Sequence, residues 1–366
     1  MNSTPVTAGH RLSRGDRWRS FAWLPLLMCA FATGLAGAAE RAKTDIITLR
    51  NGDRITGRIL YVEYGILQVN SGQAGGLSIE WPNVRSIRSN YAFRVERLGG
   101  EHTAGRLDTD ADGKNLIVSS AGQTTRIPIQ EVYRIVPYES DFWQRINGSV
   151  ALGYNFTRSS DVSQASFDFD ARYSDVALEA DLAAHYASTH ATGDNNADQS
   201  SITSNVYFLR PGPNFWGLLG SLERDQNLGI NGRVLFGAAL GRSLYQSPTT
   251  DLKGIAGLVF QQEWATGGGS SQGSLEGVFG GDWRVFKFSY PKVNLDTSLL
   301  MYPSITDAPR FRATLNITLT FKLTDRFSLK LSQFGNYDSR PPAANAETFD
   351  YGITTSVAYD FGAVVP

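Results

Sequence analysis

Cysteine, histidine and charge are scarce in this 366-residue chain. Its one cysteine, Cys29, falls in an N-terminal segment with the marks of removal. The mature chain is therefore expected to carry no thiol, disulfide or cysteine–metal site. Beyond residue 39 the histidines are His102, His185 and His190, with no metal-ligand spacing among them. No nucleophile elbow and no phosphate-binding glycine loop occurs, so the expectation is a non-enzymatic protein without a cofactor. Charged residues make up 19% of the chain, below the usual quarter, and the formal net charge is −1. Without a polybasic face, nucleic acid is not an expected partner. Past the N-terminus no apolar run is long enough for a membrane helix.

Glycine and aromatics are plentiful instead, with 37 Gly and 11% Phe, Trp and Tyr. That balance points to many short strands. The N-terminus reads as a signal peptide over 1–39. Arg11, Arg14, Arg17 and Arg19 are its basic region, 21–35 its apolar stretch, and Ala36-Gly37-Ala38-Ala39 its cleavage site. An uncleaved anchor is the alternative, because 21–39 carries no charge and is of near-spanning length. Met28 ahead of Cys29 is a poor fit to a lipoprotein.

Residues 44–139 contain a repeat with an offset of 48 positions. Asn51-Gly52-Asp53-Arg54-Ile55-Thr56-Gly57-Arg58-Ile59 aligns with Gly99-Gly100-Glu101-His102-Thr103-Ala104-Gly105-Arg106-Leu107. Ile79, Trp81, Val84 and Ile87 align with Ile127, Ile129, Val132 and Ile135. Alternating apolar runs between Gly turns predict about five short strands per copy, so two Sm-like small β repeats are expected over 44–89 and 90–139. Gly52/Gly100 and Gly57/Gly105 are expected at turns and bulges. Asp108, Asp110 and Asp112 followed by Gly113 open like a calcium loop. The twelfth position is Ser119 rather than Glu, and strands flank the segment, so a solvated Asp-Gly turn is the expectation and calcium the lesser alternative.

From about Gln144 the pattern becomes period-two runs of roughly ten residues. Phe167-Asp168-Phe169-Asp170-Ala171-Arg172-Tyr173 is one, and Phe311-Arg312-Ala313-Thr314-Leu315-Asn316-Ile317-Thr318-Leu319-Thr320-Phe321 another. Alternation alone fits a soluble sandwich or a membrane barrel. Turn lengths separate the two. About twelve strands are joined by short connections near 174–175, 211–214, 247–250, 289–292 and 323–326. They alternate with longer, polar ones near 188–199, 224–232, 265–273, 303–309 and 339–348, while the first, 159–163, is brief. Short turns on one rim and long loops on the other are the habit of outer-membrane barrels, and an even strand count returns the C-terminus to the periplasm. Tyr173, Tyr186, Trp216, Trp264, Trp283, Phe321, Phe327 and Tyr351 at strand ends suit interfacial girdles. The barrel is thus expected over 142–366.

Period two also assigns lumen-facing charges. Asp168, Asp170, Glu179 and Asp181 are expected inward with Arg172 among them. Arg312, Lys322 and Lys330 are expected inward on later strands, with Glu276, Asp282 and Arg284 between. Opposed acidic and basic walls would set a transverse field across a water-filled pore. Mutually paired charges would instead close the lumen, and the sequence leaves both open. Gly237, Gly241, Gly257 and Gly280 are expected to line the inner face without filling it. A Ser–His pair among His185 and 188–190, near the predicted outer rim, is what a lipid-modifying enzyme would need, though no orienting acid is evident.

The order of parts resembles a known family. A signal peptide, a β-rich repeat with Leu49-Arg50-Asn51-Gly52-Asp53-x-x-x-Gly57, then Ser274-Leu275-Glu276-Gly277 and a terminal Tyr359-Asp360-Phe361 are similar to the YdiY-like salt-induced outer-membrane proteins, a domain-of-unknown-function family. The resemblance covers about 140–361. It implies an outer-membrane barrel of unassigned role and supplies no catalytic residues. The expectation is a narrow porin-like channel or a structural envelope protein of a Gram-negative outer membrane, with its N-terminal domain in the periplasm. Outer-membrane lipid would surround it, and a periplasmic or cell-wall partner would meet residues 44–139. The alternatives are an outer-rim lipid-modifying enzyme and a scaffold acting through the repeats.

Overall fold

The computed structural model describes residues 42–362, apart from 64, 121, 139–141, 158–161, 176, 192–196, 266–270, 288–290, 325 and 343–345. The expected leader lies outside these residues. From Lys43 onward the chain forms one compact unit, with 21 strands among the described residues.

The first nine strands are β1 (Asp45–Leu49), β2 (Arg54–Glu63), β3 (Ile66–Ser71), β4 (Gly75–Glu80), β5 (Val84–Arg97), β6 (His102–Thr109), β7 (Asn115–Ser120), β8 (Gln123–Pro128) and β9 (Val132–Pro137). The 48-residue offset holds nearly to the residue: β4 moves onto β8 and the first half of β5 onto β9. Backbone bonds repeat with it, Leu49 N–H to Asp53 O at 2.8 Å and Arg97 N–H to Glu101 O at 2.8 Å. At Gly57 a Cβ would lie 2.8 Å from Asn70 O, and at Gly105 2.4 Å from Ser119 O, so a neighbouring strand excludes a side chain at both.

One correction concerns the boundary at 89/90. The two copies are not separate barrels. They share β5, whose first half pairs with β1 and whose second half pairs with β6 and β9. They also share one core, in which Ile47, Val62, Ile87, Phe93, Leu116 and Ile135 are fully buried. The indole of Trp81 donates to the carbonyl of Ile129, its own repeat equivalent, at 2.8 Å. The physical reason is size: about 45 residues bury too little apolar surface to stand alone.

Twelve strands then close into an antiparallel barrel, β10 (Ile146–Thr157) through β21 (Phe349–Gly362), with β21 pairing back onto β10. Between them run β11 (Val162–Ser174), β12 (Leu178–Ala191), β13 (Ala197–Leu209), β14 (Asn214–Asp225), β15 (Ile230–Ser247), β16 (Thr250–Ala265), β17 (Gln272–Lys287), β18 (Val293–Pro303), β19 (Phe311–Lys322) and β20 (Phe327–Asp338). Alternate residues leave a large apolar surface outside: Leu240 is 73% exposed, Tyr154 67% and Phe236 60%. A water-soluble protein does not tolerate so continuous an apolar belt, whereas lipid requires it. Aromatic pairs sit at both rims, Phe327 against Tyr359 and Phe349 against Tyr351. The barrel is a transmembrane one.

Several connections are shorter than the sequence implies. β12 runs to Ala191 and β13 starts at Ala197, where a loop over 188–199 was expected. Polar residues at this rim stay in the ladder because strand pairing satisfies their backbone regardless of side-chain polarity.

Candidate functional site: the barrel lumen and its two mouths

Strand register decides which side chains face inward, and contacts between non-adjacent strands confirm it, because they run only through the interior. Lys330 on β20 reaches across β21 to Ser149 Oγ on β10 at 2.7 Å and to Asp170 Oδ2 on β11 at 3.1 Å. Arg312 on β19 reaches Glu276 Oε2 on β17 at 2.5 Å, with Glu276 wholly buried. Lys322 holds Asp360 at 2.9 Å.

The remaining charges singled out from sequence also have hydrogen-bonding or ionic partners. Arg172 bonds Asp181 on the next strand. Asp168 Oδ1 lies 2.5 Å from His185 Nδ1. Arg284 meets Asp296 at 3.3 Å. Asp282 accepts a hydrogen bond from Ser298. Separate acidic and basic walls are therefore not what forms. Each acid of β11 and β12 has found a base or an imidazole, because low-dielectric surroundings favour pairing over separation.

The glycine expectation is also corrected. A Cβ at Gly241 would lie 2.1 Å from the Phe215 ring, and one at Gly237 2.2 Å from Leu258 O. The inner face at these positions is occupied. Phe215, Leu219, Leu235, Ala239, Val259 and Val278 make a buried apolar cluster along β14–β17, sharing parity with Glu223, Arg233, Glu263 and Glu276. Glycine here admits a neighbour's ring and backbone instead of leaving a void.

An arginine from outside the barrel wall stands in each mouth. At the short-turn end it is Arg134 of β9, 1% exposed. Its Nη2 donates to Glu179 Oε1 at 2.6 Å and its Nη1 to Asp175 O at 3.2 Å. Glu63 and Glu96 lie 3.3 and 3.7 Å from the same guanidinium. Lys253 holds the other Glu179 oxygen at 2.7 Å. Burial pushes the Glu63 and Glu96 carboxyls up, and Arg134 pulls them back only in part. Around this contact Arg94 grips both oxygens of Asp175 at 3.0 and 2.8 Å, and Gly212 N–H donates to Gly100 O at 2.9 Å. Asp175 and Gly212 belong to short connections, so the nine-stranded domain sits on that rim.

At the opposite mouth it is Arg310, from the connection 304–310 and 2% exposed. It donates to Glu263 Oε1 and Asp338 Oδ2, each at 2.6 Å. Arg233 shares both acids at 3.1 and 3.2 Å and adds Glu223 at 3.0 Å. Sequence reasoning missed Arg134, Lys253, Arg233, Glu263, Arg310 and Asp338. One signal was legible for Arg134: an arginine inside the apolar run Val132-Tyr133-Arg134-Ile135-Val136.

Two smaller expectations find their places. Asp110 caps its own turn, accepting from Lys114 N–H at 2.8 Å and Asn115 Nδ2 at 2.7 Å, while Asp108 pairs with Arg88. Hydrogen bonds from Asn115 hold the Asp110 carboxyl below the usual range. Among the described residues no group of three or more His, Cys, Asp or Glu is placed to hold a metal ion. His185 faces the lumen beside Phe334, whereas Ser188 and His190 have the opposite parity, so His185 and Ser188 do not meet.

Fold and interior together define a membrane-spanning β-barrel with a charge-paired lumen, apolar packing along β14–β17 and a β-domain seated on one rim. The chain belongs to the family described as protein of unknown function, DUF481, whose model matches residues 150–361. The YdiY-like resemblance of the sequence is consistent with that membership. No curated protein matches the chain. Similar solved structures include a bacterial polysaccharide outer membrane secretin, at 8% identity over 61% of this chain and 99% of that one, TM-score 0.34. The β domain of the Bordetella autotransporter BrkA matches at 10% identity over 59% and 98%, TM-score 0.32. The translocator domain of autotransporter NalP from Neisseria meningitidis matches at 12% over 59% and 88%, TM-score 0.34.

Proposed function

We propose that this is a non-enzymatic structural protein of the outer membrane, with its barrel closed at rest and its β-domain held on the periplasmic side. Of the two readings left by the sequence, channel or structural envelope protein, pairing inside the lumen favours the second. The observation that carries it is Arg312 with the fully buried Glu276, beside Arg310 at one mouth, and Arg134 at the other. A conducting pore lined by hydrated charges would leave such groups in water, where pairing contributes little. Short connections on the rim that bears the domain support the periplasmic placement, and lipid around the apolar belt is the barrel's constant partner. The exposed surface of residues 44–139 remains available to a cell-wall or periplasmic partner.

The test is planar-bilayer conductance of the refolded full chain. Electrical silence at physiological voltages is expected. Stable, ion-selective single-channel steps from a homogeneous sample would overturn the closed reading and restore the porin-like one.

A further inference from the structure

The outward positions of β20 are apolar with one exception. Phe327, Leu329, Leu331 and Tyr337 face lipid, Gln333 faces it with them, and Gly335, of the same parity, is buried beside Phe349 and Leu315. Gln333 lies near the middle of its strand, in register with Ile317 on β19 and Ile353 on β21, so its amide is at mid-membrane depth. Its side chain is exposed, and no hydrogen bond to it forms among the described residues. Acyl chains carry neither donors nor acceptors, so lipid at this depth leaves the amide unsatisfied.

Beside it the surface is hollow. Gly335, two residues along, contributes no side chain and forms the buried floor of a groove of about 210 Å³ between Leu315, Tyr337, Phe349 and Tyr351. A small residue that permits close approach, next to a polar residue that needs a partner, is the combination by which membrane-spanning segments associate. Two copies inserted with the same orientation are related by an axis along the membrane normal, which brings any residue opposite its own equivalent at the same depth. An amide is self-complementary: each Gln333 Nε2–H can donate to the other's Oε1. No acyl chain can supply that pair.

We infer that the chain forms a two-fold dimer in the membrane through the outer face of β19–β21, with the two Gln333 amides paired and the Gly335 hollows letting the barrels approach.

The test uses the full chain with Cys29→Ser and a single label site, Asp112→Cys, on the exposed turn of the β-domain. Donor- and acceptor-labelled protein is mixed in phosphatidylcholine vesicles, and energy transfer is followed as the protein is diluted with lipid. Transfer should persist well below the density of random encounters. Gln333→Leu, which makes the lipid face more apolar and should fold normally, should weaken association about tenfold. Gly335→Leu, which fills the hollow, should weaken it further, and Thr297→Leu, on β18, should leave it unchanged. A wild-type chain that is monomeric at every dilution overturns the inference. So does a dimer that Gln333→Leu leaves intact, which would point to another interface.

Discussion

Arg134 of the nine-stranded domain donates to Glu179 of the barrel at 2.6 Å, and both side chains are almost completely buried. The guanidinium is also the counter-ion of Glu63 and Glu96 in its own domain. Removing it strands three carboxylates, although Lys253 stays bonded to Glu179 and Arg172 stays near it. Arg134→Met should therefore loosen the domain from the rim at a cost of about 3–5 kcal/mol. Hydrogen exchange over residues 94–100 and 210–214 checks this. Exchange unchanged from the wild type would show that the backbone contact between Gly100 and Gly212 suffices.

The same cluster gives a pH dependence whose sign is fixed. Burial raises the Glu63 and Glu96 carboxyls above their ordinary range. Between the ordinary and the raised values, the native state holds protons that the unfolded chain has released. Stability therefore falls as pH rises through that interval and is greatest on its acid side. Glutamine mimics the protonated acid. The Tm of Glu96→Gln should thus move above that of the wild type progressively with rising pH, and a gap that narrows would contradict the assignment.

Neighbours Leu315 and Asn316 separate the two faces of β19. Leu315 shares outward parity with Ile317, and Asn316 inward parity with Arg312. An arginine on the lipid face near mid-bilayer costs about 2–4 kcal/mol, and a polar interior tolerates it better. Leu315→Arg should impair assembly far more than Asn316→Arg, read as the fraction of protein whose gel mobility shifts on boiling. Reversed tolerances would place the register one residue off.

Pairing inside the lumen also predicts unequal costs for its acids. Glu276 is wholly buried, so Glu276→Gln leaves Arg312 uncompensated and should cost about 3–5 kcal/mol in urea refolding from detergent. Asp170 is 52% exposed, and solvent screens its bond to Lys330, so Asp170→Asn should cost under about 1 kcal/mol. Equal, small effects would mean water fills the lumen at both sites.

Much of the architecture was legible without coordinates. Strand alternation as in Phe167–Tyr173 is local, since successive side chains must point to opposite faces, and twelve such runs with alternating short and long connections leave few topologies. The 48-residue repeat was legible for the same reason, because equivalent turns need equivalent glycines. The inward parity of Asp168, Glu179 and Arg312 followed from counting by two.

What counting could not supply is which charge meets which. Lys330 with Asp170, Lys253 with Glu179 and Arg310 with Glu263 join residues 47 to 160 positions apart. Those encounters depend on closure, strand tilt and register summed over many strands, and no local pattern carries them. Nor does a period-two pattern tell a hollow glycine from one covered by a ring, as at Gly241 beneath Phe215. The sequence by itself determined that the chain makes a small repeat domain and a twelve-stranded membrane barrel, because strand periodicity and turn chemistry act over a few residues. Only the tertiary structure decided that the repeats share one core, that the lumen charges are paired and its β14–β17 side packed, and that Arg134 and Arg310 stand in its two mouths. Those outcomes rest on electrostatics and packing between segments that meet only once the sheet has closed.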